Sequence, residues 1–299
     1  MIDPKVNTLI QVYENKSFSK AAQKLGLTQP AVSQHIRALE NEYNARIFVR
    51  KNGEFIVTKE GKMIVQTARK MIGLDKLLMQ ELKDREGSVE HLSIGVTHTM
   101  ESNPIAEALA KFCSENEGVA IKILTDNIKK LYKKLKAYEL DMIFVEGRSQ
   151  EEDMNCFMLD TDYLVLAVSP NHPLANREFV TLNELRKERL ILRLPGSGTQ
   201  NLFVAHLESN NMSIKEFNVI LELDNVATIK DLIRRDFGVT ILPKSVCLDE
   251  LKKGKIMVLP VENLSMIREM NIVYRKDSNY SEILRGIVKS YNETLKHYI

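Results

Sequence analysis

Residues 17–40 read SFSKAAQKLGLTQPAVSQHIRALE, and this stretch predicts two short helices joined by a tight turn. Ser19 is a candidate cap for the first helix. Gly26 stands where a helix ends in the left-handed conformation that glycine tolerates. Thr28 can cap the second helix, with Pro30 in its first turn, where a missing N–H costs little. These are the local signals of a helix-turn-helix.

The second predicted helix has two chemically different faces. At about 100° per residue, the apolar face consists of Val32, Ile36, Leu39 and Tyr43. The polar face consists of Gln29, Ser33, Gln34 and Arg37. Gln and Arg match the edges of adenine and guanine in the major groove, and Ser reaches bases or phosphates. The alternative is an ordinary solvated helix face, and the flanking sequence is needed to distinguish it from a DNA-binding face.

The flanking residues predict a third helix and a hairpin. Before the helix pair, apolar residues recur at i, i+3, i+4 and i+7, namely Val6, Leu9, Ile10 and Tyr13. After the pair, two apolar runs flank Asn52-Gly53, which is the strongest two-residue signal for a type I′ turn. The hairpin is predicted to form a wing on which Arg50 and Lys51 can meet phosphate.

Residues 2–61 resemble the winged helix-turn-helix of the LysR-type transcriptional regulators. The matching positions are Phe18, Ala21, Ala22, Leu25, residues 28–33, Ile36, Leu39, Glu40, Phe48, Arg50, Thr58 and Gly61. At position 28 the family more often has Ser, and Thr keeps the capping hydroxyl. The resemblance implies that double-stranded DNA is the partner and that the major groove is met by Thr28, Gln29, Pro30, Ser33, Gln34 and Arg37. It also implies that Arg50 contacts DNA from the wing.

Charge is distributed unevenly along the chain. The formal net charge is +2 over 299 residues, which is enough chain for two or three cores. Residues 1–61 hold nine Lys and Arg against six Asp and Glu, whereas residues 91–299 hold 27 against 29. The basic excess, although modest, lies where DNA contact is predicted, as counterion release favours.

The sequence has no targeting, membrane or cysteine motif. Its amino terminus lacks a charged-then-apolar pattern, and no apolar run approaches the roughly twenty residues that a bilayer needs. We therefore expect a cytoplasmic protein with no membrane partner. Cys113, Cys156 and Cys247 are too far apart for a metal knuckle or a disulfide framework. Small buried side chains are expected, with a redox-sensing thiol as the alternative.

Residues 58–86 contain no proline and predict one long helix capped by Thr58. Asp75 interrupts a near-heptad seam made of Ile64, Ala68, Met71, Leu78 and Leu82. The seam packs either on its own chain or on a second copy, and the resemblance implies an antiparallel linker-helix homodimer. Such a two-fold dimer fits a pseudo-palindromic operator. Gly87-Ser88 is predicted to end the helix and to form a hinge.

From residue 91 short apolar runs alternate with helical stretches. The predicted strands are 92–96, 119–124, 141–145, 163–168, 190–194, 219–223, 239–242 and 272–274. The predicted helices are 104–115, 128–137, 200–210, 226–235 and 280–298. This alternation predicts an α/β fold with ligand sites beyond the carboxyl ends of strands.

This part is similar to the effector-binding domain of the same family, which has the two-lobed fold of periplasmic solute-binding proteins. The matching stretches are 92–96, 140–144, 165–174, 190–199 and 238–243. The resemblance implies crossings between the lobes near Thr161 and Met266. It thus divides the chain into a winged helix-turn-helix (1–61), a linker helix (62–88), lobe I (89–161 and 266–299) and lobe II (162–265).

Two segments predict contacts to a ligand. Each follows a strand and leads into a helix, the first being Thr97, His98, Thr99 and Met100, and the second Ser197, Gly198 and Thr199. Open amides and hydroxyls at a helix start form an anion-sized socket, aided by the helix dipole. Two sockets facing each other would hold a small carboxylate, sulfate or similar oxyanion. Plain capping is the alternative for either segment alone. Because the resemblance places both on the cleft, it favours ligand contact.

Other polar residues near the predicted cleft have alternative roles. Glu146 follows a strand, where its carboxylate would repel an anion or select a ligand that also carries an amine. His98 either binds ligand or is solvated, and Asn225 is a helix cap or a weaker cleft candidate. Arg193 is expected to form an internal ion pair. The lysines of segment 129–136 are expected to form a solvated helix face.

Catalysis has little support in the sequence. It contains no Gly-x-Ser-x-Gly, Walker loop, HExxH or dinucleotide fingerprint, so we expect no catalytic residue, metal or cofactor besides a small-molecule effector. A transport-type solute-binding protein or a cleft enzyme is the rival interpretation, and the attached winged helix counts against both. We therefore expect a LysR-type regulator that forms homodimers and then homotetramers. The resemblance also allows RNA polymerase as a partner.

Overall fold

A helical segment with one hairpin precedes a larger α/β unit. The computed structural model describes residues 2–51, 54–87, 89–102, 104–149, 151–262, 266–278 and 280–298. Two compact units result, the first formed by residues 1–90 and the second by most of residues 91–299. No helix among the described residues has both the length and the apolar character needed to cross a membrane.

The first unit is built from helices around one small core. In chain order its elements are α1 (Pro4–Asn15), α2 (Phe18–Leu25), α3 (Gln29–Glu42), β1 (Phe48–Lys51), β2 (Glu54–Val57) and α4 (Lys59–Gly87). The predicted apolar stripes of α1 and α3 meet in this core, where the fully buried side chains include Val12, Ala21, Val32 and Ile47.

The caps of the helix pair follow the prediction with one correction. Ser17 caps α2, because its Oγ accepts a hydrogen bond from the Lys20 amide at 3.3 Å, so the predicted cap Ser19 is wrong. Gly26 ends α2 with φ 65°, the left-handed conformation that favours glycine.

The start of α3 is as predicted, and its end is earlier. The Thr28 hydroxyl accepts a hydrogen bond from the Ala31 amide at 3.3 Å, with Pro30 in the first turn. Tyr43 is the C-cap of α3 and is 48% exposed. Its predicted place on the apolar face is therefore wrong. Helical periodicity no longer applies to Tyr43, because α3 stops at Glu42.

The predicted wing is present as an antiparallel hairpin. Phe48 pairs with Val57 at one end and Lys51 with Glu54 at the other. This register leaves two residues for the turn, and the predicted Asn52-Gly53 turn itself lies outside the described residues. The long helix follows the wing directly, and its Gly61 amide donates a hydrogen bond to the capping Thr58 hydroxyl at 2.8 Å.

Only part of the predicted seam on α4 is free. Ile64 and Ala68 pack against the core of the first unit, so at these two positions the seam packs on its own chain, which is the alternative that the sequence left open. Met71, Leu74, Leu78 and Leu82 are exposed and lie on one face. α4 ends at Gly87 as predicted, whereas Ser88 of the predicted hinge lies outside the described residues.

The second unit alternates strands and helices as predicted. Its strands are β3 (Glu90–Val96), β4 (Val119–Thr125), β5 (Met142–Glu146), β6 (Met154–Val168), β7 (Arg189–Arg193), β8 (Asn218–Leu223), β9 (Thr240–Pro243), β10 (Met257–Leu259) and β11 (Ile267–Arg275). Its helices are α5 (His98–Glu101), α6 (Ile105–Glu115), α7 (Ile128–Lys136), α8 (Leu182–Leu185), α9 (Gly198–Ser209), α10 (Val226–Arg234), α11 (Leu248–Lys252) and α12 (Ser281–Leu295).

The sheet of the second unit connects two lobes. Its strands follow the order β10-β6-β11-β5-β3-β4, and β9 also pairs with β6. Residues 154–163 of β6 pair with β11 in lobe I, whereas residues 164–168 pair with β9 and β10 in lobe II. β7 and β8 form a separate parallel pair in lobe II. Each lobe has its own apolar core, and the domain boundaries expected from the resemblance stay a prediction.

The first half of β6 is longer than the predicted strand 163–168. Residues 154–162 mix polar and apolar side chains, so their local pattern is weak. Their partner strand is β11, which begins more than a hundred residues later, and this pairing creates the strand. The three-residue strand β10 was not predicted either.

Candidate DNA-binding surface and effector cavity

The polar face of α3 points away from the core, as predicted. Val32, Ile36 and Leu39 are buried, and they fix the rotation of the helix about its axis. The opposite face presents the half-buried Ser33 and the exposed Gln29, Gln34 and Arg37. Forked amide and guanidinium groups are therefore available to base edges.

A groove of about 620 Å³ runs between α3, the start of α2 and the wing. Of the predicted residues it brings together Gln29, Ser33, Arg37 and Arg50. The other four predicted DNA-contact residues, Thr28, Pro30, Gln34 and Lys51, lie outside its lining. The groove also holds polar residues that the sequence reading missed, namely Lys16, Ser17, Ser19 and Arg46. The signal for the first three was the run of hydroxyl and basic residues around the first cap, and Arg46 lies just before the wing.

Glu40 connects α3 to the wing. Its Oε1 accepts a hydrogen bond from the Ile47 amide at 2.8 Å, and its Oε2 accepts one from Arg46 at 3.0 Å. The Glu40 side chain is 8% exposed and the Arg46 side chain 77%. The buried carboxylate thus fixes the chain between helix and hairpin, and its only sequence signal was the family match at Leu39-Glu40.

The second unit contains a cavity of about 710 Å³ between its lobes. Six predicted effector residues line it, namely Thr97, His98, Thr99, Glu146, Ser197 and Gly198. Met100 lies in the apolar core of lobe I, and the Thr199 side chain is buried. Asn225 caps α10, where its Oδ1 accepts the Thr228 amide at 2.9 Å. These last three residues are not part of the lining, which corrects their predicted direct contact.

The first predicted socket is occupied by the protein's own groups. The Thr97 hydroxyl accepts a hydrogen bond from the Met100 amide at 3.2 Å and donates one to Glu146 at 3.1 Å. The Thr99 hydroxyl accepts a hydrogen bond from Arg193 at 3.4 Å. The helix α5 that follows has a single turn, so this side of the cavity contributes hydroxyls rather than an open helix start.

Glu146 shares one buried arginine with a second carboxylate. Its Oε1 lies 3.2 Å from Nη1 of Arg268, and Nη2 of the same arginine lies 3.2 Å from Asp162. Asp162 in turn accepts the Ser245 hydroxyl at 2.6 Å. All three ion-pair side chains are buried. Arg268 therefore reduces the repulsion expected from Glu146, and local sequence patterns do not reveal this partner.

The second socket keeps an open donor. Ser197 caps α9. Its Oγ accepts a hydrogen bond from the Gln200 amide at 3.3 Å, and its carbonyl accepts one from the Asn201 amide at 2.9 Å. The amide of Gly198, an exposed residue of the lining in the first turn, has no partner within the helix. With the positive end of the helix dipole it suits an anion.

Arg193 is the buried cation of the cavity. Its side chain is 3% exposed, and its Nη2 lies 2.8 Å from Oδ1 of Asp224. The ion pair is the one expected from the sequence, but Arg193 also lines the cavity. Asp224 was missed, although its place directly after a strand was a usable signal.

The α7 side of the cavity was also missed. Lys129 and Lys130 line the cavity together with Asp126, Asn127 and, from α9, Asn201. This corrects the expectation that these two lysines only form a solvated helix face. Partial burial acts to raise the pKa of Asp126, but hydrogen bonds from Asn127, Lys130 and Lys134 hold it below its ordinary value. Asp126 is thus a carboxylate near neutral pH, balanced by Lys130 at 3.1 Å.

Two family models match the chain. Residues 5–62 match the bacterial regulatory helix-turn-helix protein of the lysR family, and residues 85–295 match the LysR substrate binding domain. The chain belongs to the LysR family. It is a LysR-type transcriptional regulator, with a helix-turn-helix domain that binds DNA and an effector-binding domain.

Curated relatives agree with this membership. An HTH-type transcriptional regulator of Methanocaldococcus jannaschii is 30% identical over 289 residues, covering 94% of this chain and 97% of that protein. The HTH-type transcriptional regulator CysL of Bacillus subtilis is 26% identical, covering 95% and 96%. Because these relatives are transcriptional regulators, this LysR-type chain is not an enzyme, and the rival interpretation as a transport protein is also excluded.

Solved structures share the fold of this LysR-type regulator. Full-length CbnR in complex with its target DNA has a TM-score of 0.68 at 16% identity, covering 98% of this chain and all of that one. Full-length OxyR from Pseudomonas aeruginosa has a TM-score of 0.66 at 19% identity, covering 98% and 95%. The likeness confirms the winged helix-turn-helix, the long helix and the two-lobed α/β domain.

The LysR-type chain also presents an unpaired apolar stripe on α4. We call the side chains Met71, Leu74, Leu78 and Leu82 the linker stripe; between 40% and 49% of each residue is exposed. Asp75 lies beside the stripe rather than within it, because it falls about 40° from Met71 around the helix axis. A second copy of the helix would cover this surface.

Proposed function

We propose that this LysR-type regulator binds a pseudo-palindromic operator as a homodimer and that a small anionic effector in the interlobe cavity controls it. The single observation that carries the effector proposal is the buried Arg193 facing a cavity that is also lined by Gly198 at the start of α9. A buried guanidinium and a helix start both favour an anion.

In this proposal α3 enters the major groove. Gln29, Ser33, Gln34 and Arg37 face the bases, with Thr28 and Pro30 at the helix start. Arg50 and Lys51 of the wing contact phosphate, as do Lys16 and Arg46 beside the groove. Support comes from the exposure of the polar face of α3 and from the cations that surround it.

The proposed dimer forms through the linker stripe of α4. Four large apolar side chains on one exposed helix face favour burial against a second copy. Two symmetric wings then match two half-sites separated by whole turns of DNA. The proposal also includes a homotetramer of two such dimers. The protein would act in the cytoplasm, where the operator lies, and would contact RNA polymerase.

The charge balance of the cavity supports an anion. Asp126, Glu146 and Asp224 are each paired with a cation, namely Lys130, Arg268 and Arg193. Lys129 adds a further exposed positive charge to the lining. Because Arg268 is shared with Asp162, these charges sum to zero, and a carboxylate, sulfate or phosphate group would meet the donors of Arg193 without a net negative surface.

A thermal-shift panel tests the effector proposal. We would compare sulfate, inorganic phosphate, acetate, glycine and 2-PG, the ligand in the structure of the Synechocystis CcmR regulatory domain. An anion at a hundred times its dissociation constant should stabilise the folded protein by about 2.7 kcal/mol. The proposal predicts that Arg193→Gln abolishes this stabilisation. Binding of glycine alone, or an unchanged shift in Arg193→Gln, would contradict it.

A further inference from the structure

Arg193 and Asp224 form an ion pair whose two members are very unequally buried. The Arg193 side chain is 3% exposed, whereas the Asp224 side chain is 52% exposed. A buried charge needs a partner, because water cannot solvate it. Asp224 has no such need, since its carboxylate is well solvated when it turns outward. The arginine therefore requires an anion in every state, and the aspartate does not require the arginine.

The pairing also leaves the Nε donor of the guanidinium unused. Nη2 of Arg193 meets Asp224 Oδ1 at 2.8 Å, and Nη1 donates to the Thr99 hydroxyl at 3.4 Å. Nε is buried and has no hydrogen-bond partner among the described residues. Nε and Nη2 share one edge of the guanidinium, so a carboxylate or phosphate can accept from both. Asp224 uses half of that edge.

We infer that Asp224 is a displaceable occupant of the effector's anion position, an inference that rests on the anionic effector proposed above. In the empty cavity its carboxylate neutralises Arg193. An effector anion then takes the Nε and Nη2 edge, and Asp224 turns to solvent. Asp224 thereby determines specificity, because a neutral ligand cannot replace the charge that Arg193 loses.

The exchange also changes a contact between the lobes. Oδ2 of Asp224 lies 3.7 Å from Nε2 of His98, which belongs to α5 in lobe I, whereas Asp224 follows β8 in lobe II. Displacement of Asp224 removes this contact while the Thr99 hydroxyl stays on Arg193. Anion binding therefore alters how the two lobes are held together, which is what an effector must do to bias a conformational equilibrium.

Calorimetric titration of the full-length protein tests the inference. Sulfate, inorganic phosphate and 2-PG would each be titrated into the wild type, Asp224→Asn and Glu222→Gln. Glu222 is the matched control, because it also loses a carboxylate in lobe II but is not part of the cavity lining. Asp224→Asn should bind the anion at least about tenfold more tightly, since no carboxylate competes for Arg193. Glu222→Gln should stay within about twofold of the wild type.

Two further variants keep the test decisive. Asp224→Ser should show the same gain if Asp224→Asn folds poorly, and Arg193→Gln added to Asp224→Asn should abolish the gain. The inference is overturned if an anion binds the wild type and Asp224→Asn binds it equally or more weakly. Failure of all three anions to bind both the wild type and Asp224→Asn overturns the anionic-effector proposal as well.

Discussion

Arg37 is the exposed cation on the polar face of α3, and it also lines the groove beside the wing. If its guanidinium reads a base, Arg37→Ala should reduce discrimination between operator and random DNA by about 1–3 kcal/mol. Fluorescence anisotropy on both DNAs measures this difference.

Lys70→Ala is the matched control for Arg37, because it removes an exposed charge from α4 outside the groove. It should leave discrimination unchanged. An equal loss on both DNAs in Arg37→Ala would show that Arg37 contacts phosphate instead.

We expect Glu40 to affect DNA binding by fixing the position of the wing rather than by contact with DNA. Glu40→Ala leaves the Ile47 amide without its acceptor, which should lower the free energy of local opening by about 1–3 kcal/mol. Hydrogen exchange of residues 44–51 measures this opening, and operator affinity should fall with it. Arg46→Ala removes only the exposed partner, so its effect on opening should stay within about 1 kcal/mol. Equal exchange in both variants would contradict the role of Glu40.

The cysteines differ in reactivity for a physical reason. Burial raises the pKa of Cys247 to about 12, so its thiol stays protonated and unreactive near neutral pH. Cys156 is exposed on β6. Iodoacetamide at pH 8 should therefore modify Cys156 in the native protein and Cys247 only after unfolding, as mass spectrometry of the peptides can show. Rapid native labelling of Cys247 would contradict its burial.

At the scale of elements, the linker stripe of α4 makes a prediction of its own. Leu78→Glu places a charge in the proposed interface of both copies, and the lost apolar burial of about 3 kcal/mol should raise the dimer dissociation constant about a hundredfold. Analytical ultracentrifugation measures this constant.

Lys76→Glu is the control for the linker stripe, because residue 76 is exposed on the opposite side of α4. It should leave the dimer intact. A dimer that survives Leu78→Glu would contradict the assignment of the interface to this stripe.

Elements with local signals were predictable from sequence. The apolar spacing of α3 and the caps at Gly26 and Thr28 act within a few residues, so the sequence shows them directly. The first half of β6 depends on pairing with β11, and no local pattern reveals a partner so distant. A similar reason applies to Ile64 in the seam of α4. Whether its side chain packs inward depends on α1 to α3, so the local sequence could not show it.

At the scale of the whole molecule, the predicted parts of the site have local sequence signals, whereas the missed parts depend on partners that are distant in sequence. The helix starts at Thr97 and Ser197 were predicted because strand-to-helix turns carry recognisable residues. The partners that set the charge of the cavity come from far away in sequence: Arg268 joins Asp162 across 106 positions. Glu146 was therefore expected to repel an anion, and the sequence did not reveal that Arg268 bridges Glu146 and Asp162.

In the proposal, the regulator reads DNA with the polar face of α3 in the first unit and binds an anion in the cavity of the second unit. Binding in the cavity can change DNA binding only if the anion prefers one conformation, and the effect must then be reciprocal. Operator DNA should accordingly change the affinity for the anion by the same factor.

DNase I footprinting on the promoter of its own gene tests the central claim most directly. The full-length protein should protect two half-sites separated by whole helical turns, and the anion selected by the thermal-shift panel should change the pattern. Arg193→Gln should give the anion-free pattern in both conditions. Absence of protection, or one identical footprint for the wild type with and without anion, would contradict the account.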